Sequence, residues 1–452
     1  MTAPFELSVV DAAAAIRAGR LSATGLVEAC LARIGACEEH LQAWVTVDRQ
    51  GALATARRLD VDAREGRFHG PLHGVPVGLK DIIDAAGLTT TAGARGFADR
   101  TPGQDATCVA RLRRAGAVIL GKLQTTEFAF SDPAVTRNPW HASHTPGGSS
   151  SGSAAAVAAR MVPAALGSQT LGSVLRPAAF CGVVGLKPTY GRVSRRGVVP
   201  LSWSLDHVGV FARSVADAAL VMSTAAGYDP ADPGSATAPP ADVTAVLAGP
   251  PARPPRLGLI GEPFLARGTP EARSHLDDVA RMLRARGAEV EPVRLPSLME
   301  AVYSAVIAVS RAEIGAVHAD SHRRRADAYR PRIRAGIEIG QCIPADLYLR
   351  AQRIRRRARV DLAPLLARYD ALVMPSALGP APDRSTTGDA VFNGPWTGLG
   401  LPSVSMPTGL AAEGLPLGTQ LIGGPFEEAR LLTAARWVET ALGFTAAPAI
   451  ES

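Results

Sequence analysis

Residues 144–177 run HTPGGSSSGSAAAVAARMVPAALGSQTLGSVLRP, so that two segments rich in glycine and serine flank an alanine-rich stretch. The small side chains at 154–161 predict a helix, and a Gly/Ser loop directly before a helix exposes backbone N–H groups and hydroxyls at the helix N-terminus. Such a loop suits the stabilisation of a developing anion or the holding of a serine nucleophile. A flexible Gly/Ser linker is the alternative, and it fits less well because the loop leads directly into the helix.

Two further segments contain candidate catalytic residues. In residues 74–81, GVPVGLKD, a short apolar run predicts a strand that ends in Lys80. The amine of a lysine at the end of a buried strand is drawn into a low dielectric, which disfavours the ammonium form and can supply a neutral base. Pairing with Asp81 or with solvent is the structural alternative. In residues 167–177, Ser173 follows a glycine that would let a ligand approach the backbone, a pattern that is uninformative on its own.

Short apolar runs alternate with helical patterns along the chain. Strands are predicted at 75–79, 117–120, 257–260, 290–293, 371–374 and 420–422. Helices are predicted within 8–66 and at 154–161, 215–226, 271–286 and 427–442, with Ser8 and Ser22 as candidate N-caps. This alternation predicts an α/β fold in which a mixed central β-sheet is covered on both faces by helices.

The composition, 47% hydrophobic and 20% charged, is that of an ordinary folded protein. The net charge of +7 is modest, and the basic runs at 322–336 and 353–359 are interleaved with other residues, which favours solvated helix faces over nucleic-acid binding. No stretch approaches the ~20 apolar residues of a membrane helix, and no signal-peptide pattern is visible. Five scattered cysteines predict neither a disulfide framework nor a zinc site and fit a cytoplasmic location.

Four segments together resemble the amidase signature family of Ser-Ser-Lys hydrolases: the Lys80 segment, the loop at 147–152, the Ser173 segment, and residues 181–192, CGVVGLKPTYGR. The spacing of 24 residues between Ser149 and Ser173 also matches that family. The resemblance runs over about 8–442 and implies the amidase signature fold. We therefore expect a single domain over 1–452, comprising a helical N-terminal part (1–66), a catalytic core (67–228), a Pro/Ala-rich loop or linker (229–255), and a second part that completes the sheet and the substrate pocket (256–452).

The resemblance implies Ser173 as the nucleophile, Ser149 as a bridging serine and Lys80 as the base. A serine hydroxyl is a poor nucleophile until a base removes its proton, and a lysine can be that base only while it is neutral. Lys80 would take the proton through Ser149 and return it to the leaving nitrogen, which makes cleavage of an amide C–N bond feasible. No metal or other cofactor is implied.

The resemblance also assigns roles to the two loops. The oxyanion hole would consist of the backbone N–H groups of Thr170, Leu171, Gly172 and Ser173. The supporting loop residues would be Gly148, Ser150 and Gln169. In the family, the peptide bond before the bridging serine is cis, which here is the bond between Gly148 and Ser149.

The nucleophile segment departs from the family pattern. The family has Gly-Gly-Ser at the nucleophile, an Asp four residues before the serine and an Arg two residues after it; here these positions hold Leu171, Gln169 and Leu175, and the nearest arginine is Arg176. The Asp before the serine and the Arg after it are both absent, which indicates that other residues support the serine here. Leu171 restricts the backbone at the anion cradle and narrows the acyl pocket. Ser151 replaces a glycine as well. We infer a retained triad with altered specificity.

Three other patterns indicate different chemistry and are weaker. GSSSG at 148–152 fits a nucleophile elbow with Ser150 and a histidine such as His207, but an elbow requires a hydrophobic strand directly before it. GAVILGK at 116–122 resembles a phosphate loop, but its apolar interior predicts a strand and Leu123 stands where Ser or Thr would bind magnesium. Two histidine pairs have the spacing of metal ligands, although histidines at such spacing more commonly occupy surface or core positions. These pairs are His69 with His73, and His141 with His144.

The leading hypothesis is a stand-alone amidohydrolase that cleaves the C–N bond of a small-molecule amide, with a carbamate or anilide also open as substrate and a homodimer open as its assembly. The alternative is an A subunit of a glutamyl-tRNA amidotransferase, which releases ammonia from glutamine for a tRNA-bound partner. A non-catalytic binding protein on the same scaffold is disfavoured because all three catalytic side chains are present. The family pocket is formed by variable loops, here 128–135, 310–345 and 387–396. Three aromatic residues in these loops hint at an apolar acyl or aryl group, and core packing explains them equally well: Phe128, Phe130 and Trp396.

Overall fold

The protein is described by a computed structural model that covers residues 3–94, 96 and 99–450. The strands are β1 (Trp44–Val47), β2 (Pro76–Lys80), β3 (Val118–Leu123), β4 (Ala164–Gln169), β5 (Val184–Lys187), β6 (His207–Ala212), β7 (Arg256–Ile260), β8 (Glu289–Val293), β9 (Ala371–Pro375), β10 (Ser403–Leu410) and β11 (Pro416–Ile422).

The α-helices are α1 (Val9–Arg17), α2 (Ala23–Leu41), α3 (Arg49–Arg64), α4 (Thr107–Arg114), α5 (Ser151–Ala158), α6 (Leu175–Cys181), α7 (Val215–Ala225), α8 (Thr244–Ala248), α9 (Pro270–Ala285), α10 (Met299–Val317), α11 (Ala319–Arg325), α12 (Pro331–Gln341), α13 (Ala345–Arg368), α14 (Gly394–Gly398) and α15 (Glu428–Leu442). Short 3-10 turns lie at Pro4–Glu6, Glu127–Ala129, Phe264–Arg267 and Ala326–Ala328.

Within the described ranges, the strands form one 11-stranded sheet in the order β1-β3-β2-β4-β6-β5-β10-β11-β9-β7-β8. Strand β2 runs parallel to β3 and β4, and β7 runs parallel to β8 and β9. The other neighbouring strands are antiparallel. The predicted α/β fold with a mixed central sheet is confirmed.

Helices cover both faces of this sheet, as alternate residues of β3 show. Ile119 packs in one hydrophobic cluster with Leu112 of α4, whereas its neighbour Val118 packs in another with Leu26 of α2 and Ala155 of α5. Because successive side chains of a strand point to opposite faces, these two clusters lie on opposite sides of the sheet. Strands buried on both faces need continuous apolar runs, which is the pattern that identified β3 in the sequence.

The N-terminal part of the chain differs from the prediction at one element. Ser8 and Ser22 cap α1 and α2 as predicted, accepting hydrogen bonds from the backbone N–H groups of Asp11 and Gly25. The helical assignment of 8–66 is wrong at β1, which pairs with β3. The sequence WVTV of β1 consists of aromatic and β-branched residues, which favour a strand and outweigh the helical pattern on either side.

Four more strands were not predicted: β4, β5, β6 and β10. Strand β4 (AALGSQ) contains no β-branched residue, and it pairs with β2 on one side and β6 on the other. Backbone pairing with two neighbours therefore makes it a strand where local propensity is weak. The segment 229–255 also holds more structure than a linker, because Asp229 accepts from the Thr107 hydroxyl at 2.6 Å and α8 lies within it. Its role as a boundary stays a prediction.

The parallel strands β2 and β4 end at the same edge of the sheet. Lys80 is the last residue of β2, and Ser168 and Gln169 are the last residues of β4. Carboxyl ends of neighbouring parallel strands commonly border a ligand site in α/β proteins. Among the described residues, no helix is both long and apolar enough to span a bilayer.

Candidate active site

Lys80 ends β2 inside the protein, and its side chain is completely buried. Its Nζ donates hydrogen bonds to Ser149 Oγ at 2.6 Å and to Ser168 Oγ at 2.8 Å. Burial lowers the pKa of Lys80 well below its ordinary value because desolvation penalises the ammonium form, while the charge of Asp206 acts in the opposite direction. The environment of Lys80 is thus one in which an amine can be neutral.

Lys80 does not pair with Asp81, which was the structural alternative. The carboxylate of Asp81 instead lies 3.0 Å from Nζ of Lys122, and the third lysine of the chain, Lys187, donates to two backbone carbonyl groups. All three lysine side chains are completely buried. Lys122 and Lys187 thus have structural partners, whereas Lys80 faces two serine hydroxyls.

Ser149 lies in a loop that is held against the segment that contains Ser173. The peptide bond between Gly148 and Ser149 is cis, as the family resemblance implies. A Cβ at Gly147, whose φ is +78°, would lie 2.8 Å from Cα of Pro177, so the close approach of the loop to α6 requires glycine there. The Gly148 carbonyl accepts a hydrogen bond from Nη2 of Arg176 at 2.6 Å. The structure therefore brings the two predicted loops together.

Ser173 lines an open cavity of about 360 Å³ and is 8% exposed. Its hydroxyl forms no hydrogen bond with any residue that the structure describes, and this includes Ser149. Catalytic hydrogen bonds are often long in the absence of substrate and shorten when it binds. Lys80 and Ser149 are therefore in direct contact, while Ser173 is accessible from the cavity.

Gln169 braces the segment around Ser173. Its Oε1 accepts hydrogen bonds from the N–H groups of Val174 and Leu175, at 2.8 and 3.0 Å. Its Nε2 donates to Thr397 Oγ1 at 2.7 Å, and that hydroxyl donates to the carbonyl oxygen of Leu171 at 2.7 Å. The uncharged amide of Gln169 thus bonds to the backbone after Ser173 directly and to the backbone before it through Thr397. These bonds explain how the segment keeps its shape without the charged pair of the family.

The backbone of the predicted oxyanion hole is compatible with Leu171. Neither Leu171 nor Gly172 has a positive φ, so the expected conformational restriction does not arise. The N–H groups of Leu171, Gly172 and Ser173 donate to no group in the described part of the chain. Thr170 Oγ1 donates to Asp206 Oδ1 at 2.6 Å, which fixes the start of this segment. Unused N–H groups beside a cavity are the donors that an oxyanion hole requires.

Three polar residues of this site are not among the predicted site residues: Ser168, Asp206 and Thr397. Ser168 lies in the Gly/Ser-rich part of residues 144–177, and its place at the end of β4, parallel to β2, would identify it once that strand is predicted. Asp206 and Thr397 are 36 and 228 residues from their partners in the sequence, so no local pattern marks them.

The three competing motifs have structural explanations. Ser150 Oγ is bonded to the backbone of Ser168, while Nδ1 of His207 lies 2.5 Å from the carbonyl oxygen of Leu205, and these two side chains form no hydrogen bond with each other. Residues 116–122 belong largely to β3, as their apolar interior predicts. Among the described residues, no three His, Cys, Asp or Glu side chains are grouped so that they could hold a metal ion.

Parts of all three predicted loops line the cavity. Its wall includes Phe130 from the first loop, Arg311 from the second and Asp389 from the third. The other two aromatic candidates pack in the protein interior: Phe128 lies against the ring of His318, with centroids 4.7 Å apart, and Trp396 is completely buried. Core packing is therefore the correct explanation for those two, and Phe130 faces the cavity.

Known proteins are similar to this chain over most of its length. The family model described as Amidase matches residues 25–432. The A subunit of the glutamyl-tRNA(Gln) amidotransferase of Chloroflexus aggregans is 39% identical in an alignment that covers 96% of this chain and 96% of that protein.

Solved structures are similar over almost the whole length. The peptide amidase from Stenotrophomonas maltophilia has a TM-score of 0.84 at 34% identity, with 99% of each chain covered. A structure described as a vestigial protein complex that reveals the origins of an s-triazine catabolic enzyme has a TM-score of 0.90 at 33% identity, covering 99% of this chain and 100% of that one.

Proposed function

Since the chain belongs to the amidase family, we propose that it cleaves an amide C–N bond through an acyl-enzyme formed on Ser173. One observation carries this proposal. Lys80 is completely buried, has no carboxylate partner among the described residues, and donates to Ser149 Oγ at 2.6 Å beside the loop that presents Ser173. The other two buried lysines have partners of a different kind: Lys122 pairs with the carboxylate of Asp81, and Lys187 donates to two backbone carbonyl groups.

In the proposed reaction, neutral Lys80 accepts a proton from Ser149 as Ser149 accepts one from Ser173. The Ser173 oxygen attacks the amide carbon, and the N–H groups of the segment from Thr170 to Ser173 stabilise the resulting oxyanion. The proton passes back through Ser149 to the leaving nitrogen, and the C–N bond breaks. Water then hydrolyses the acyl-serine ester, which restores the free hydroxyl and releases the acid.

Two finer functions follow from this chemistry. The curated relatives favour an A subunit of a tRNA-dependent amidotransferase, in which the same step would release ammonia from glutamine for a partner. The similarity to peptide amidase, together with Leu171, Gln169 and Leu175 in the nucleophile segment, favours an enzyme that acts alone. The relatives support the first function more directly than the second.

An ammonia-release assay separates these functions. We expect the purified chain to release ammonia from at least one primary amide, because the bonded Lys80 and Ser149 need no residue from another protein chain. The measurements are ammonia production from simple primary amides and glutamine, and amine release from anilides and carbamates, each with and without Glu-tRNA and the partner subunits of an amidotransferase. Activity that appears solely with glutamine and those additions would establish the amidotransferase function, and inactivity in every condition would contradict the shared proposal.

The proposed base predicts how the rate depends on pH. Neutral Lys80 is the active form, so protonation inactivates the site and kcat/KM rises with pH through the pKa of this lysine. Burial lowers that pKa, so the midpoint should lie well below the ~10.4 of an exposed lysine. A pH–rate profile measures this, with circular dichroism at each pH to confirm that the protein stays folded. A midpoint at or above the value of an exposed lysine would exclude Lys80 as the base.

A further inference from the structure

Asp206 lies near Lys80, although the two side chains form no hydrogen bond with each other. Lys80 Nζ donates to Ser168 Oγ at 2.8 Å, and Thr170 Oγ1 donates to Asp206 Oδ1 at 2.6 Å. Ser168 belongs to β4, and Thr170 directly follows that strand. Residues two apart along a strand point to the same face and are separated by ~7 Å, which puts the carboxylate within about 12 Å of the amine.

The two oxygens of Asp206 accept three hydrogen bonds. Oδ1 accepts from Thr170, and Oδ2 accepts from the backbone N–H groups of Leu201 and Ser202, at 2.8 and 2.9 Å. Burial raises the pKa of Asp206 above its usual value, while these hydrogen bonds act in the opposite direction. Hydrogen bonds donated to both oxygens favour the carboxylate over the neutral acid.

The charge of Asp206 is not neutralised by an ion pair within the described part of the chain. Arg195 is the cation whose charge acts on Asp206, but its guanidinium pairs with Asp232 at 3.0 Å and stacks on the ring of Tyr190 at 4.7 Å. The pKa of Lys80 is lowered by burial and raised by the charge of Asp206. Asp206 therefore acts on the amine as a counter-charge at a distance.

We propose that Asp206 is a positioning residue that acts through Lys80, because its negative charge stabilises the ammonium that forms when Lys80 takes the proton from Ser149. In the proposed reaction that proton comes from Ser173, so the amine becomes positive as the oxyanion forms. A buried ammonium without a counter-charge is costly, since it has lost its hydration. Ser149 and Ser168, which contact the amine, carry no charge. The proposal rests on the proposed function, because it requires Lys80 to be the base.

Asp206→Asn removes the charge and keeps the shape of the side chain. The amide oxygen can accept from Leu201 and Ser202, and the amide nitrogen can donate to Thr170 Oγ1. The substitution therefore separates the charge of Asp206 from its support of the neighbouring backbone. Asp206→Ser is a second uncharged variant with a different shape, and Asp206→Glu retains the charge.

The pH dependence of fluorophosphonate labelling measures the effect without a known substrate. The rate constant for labelling of Ser173 should rise with pH through the pKa of Lys80, because the neutral amine is the active form. Loss of an opposite charge lowers that pKa further. Asp206 is half-buried and borders a second cavity of about 260 Å³, so water screens part of its charge. We expect the midpoint to move about 0.5 to 1 pH unit downwards in Asp206→Asn and Asp206→Ser, and to stay in Asp206→Glu.

Two controls separate this effect from structural ones. Thr170→Val removes the hydroxyl that bonds to Asp206 and keeps the charge, so it should lower the rate constant and leave the midpoint. Asp229→Asn removes a buried carboxylate that accepts from the hydroxyls of Thr107 and Ser194, at 2.6 and 2.7 Å, and that has no influence on Lys80. It should leave both the rate constant and the midpoint unchanged. Thermal unfolding verifies that each variant is folded.

An unchanged midpoint in the folded uncharged variants, with or without a loss of rate, would overturn the proposal and leave Asp206 as a support for Thr170. A midpoint that moves equally in Thr170→Val would also overturn it, because the charge is still present there. Failure of the proposed function gives a different result. In that case the wild-type protein is not labelled on Ser173 at any pH, whereas normal wild-type labelling with an unchanged midpoint in the variants rejects the role of Asp206 alone.

Discussion

We expect Ser173→Ala to abolish amide hydrolysis and covalent labelling by a fluorophosphonate. The expected loss in kcat is about 10⁵-fold or more, because removal of a serine nucleophile leaves only the residual contribution of the oxyanion hole and substrate binding. Ser173 is 8% exposed on the cavity wall, and its hydroxyl bonds to no described residue, so the folded state should keep its stability. Intact mass spectrometry of the labelled protein, with thermal unfolding as a folding check, measures the result.

Ser150→Ala provides the matched comparison. Ser150 satisfies the Gly-x-Ser-x-Gly pattern, but its side chain is completely buried and bonded to the backbone of Ser168. This variant should still be labelled, since the reactive hydroxyl remains. Labelling that survives Ser173→Ala and disappears in Ser150→Ala would transfer the nucleophile to Ser150 and contradict the proposed mechanism.

Lys80→Met has the second-largest expected effect. Methionine fills the same buried space without a basic nitrogen, so Ser149 loses its proton acceptor. We expect kcat/KM to fall about 10³- to 10⁴-fold, at the upper end of the range for general-base catalysis. Lys80→Arg should not restore activity, because a guanidinium stays protonated at any working pH. Steady-state kinetics together with urea unfolding measure rate and stability separately.

Lys122→Met is the contrasting control, because Lys122 is equally buried but is paired with Asp81 at 3.0 Å. Its removal leaves a buried carboxylate without a counter-charge, which destabilises a protein by about 3–5 kcal/mol. The free energy of unfolding should therefore fall for Lys122→Met, while the rate falls for Lys80→Met. The proposed base would be wrong if Lys80→Met retained the rate and lost stability instead.

The site residues that the sequence predicts lie in segments where a short-range pattern indicates both a buried side chain and a candidate catalytic group. Lys80 follows an apolar run, so its burial was predictable, and the first Gly/Ser loop contains Ser149, to which Lys80 donates a hydrogen bond. Asp206 and Thr397 could not be predicted, because their contacts with Thr170 and Gln169 arise from sheet pairing and helix packing over long sequence separations. The departures at Gln169 and Leu171 are visible in the sequence, but the way in which the amide of Gln169 stabilises the loop depends on its contact with Thr397, which only folding creates.

The strands of the fold also differ in whether local sequence predicts them. Strands with β-forming apolar residues, such as β7 and β9, were predicted close to their observed bounds. Strand β4 was not, because alanine, glycine and serine give it little intrinsic preference and its two neighbours supply the pairing. Strand β1 was assigned to a helical region although its WVTV sequence favours a strand, so that error lay in the interpretation and not in a missing signal.

The complete burial of the three lysines has a practical consequence for the chemistry of the protein surface. Amine-reactive reagents modify lysine at exposed nitrogen, and here Lys80, Lys122 and Lys187 offer none in the folded state. Each of these amines becomes reactive when its surroundings open. Residue-resolved amine labelling would therefore report local unfolding at three defined positions of the sheet, against a background free of exposed lysine side chains.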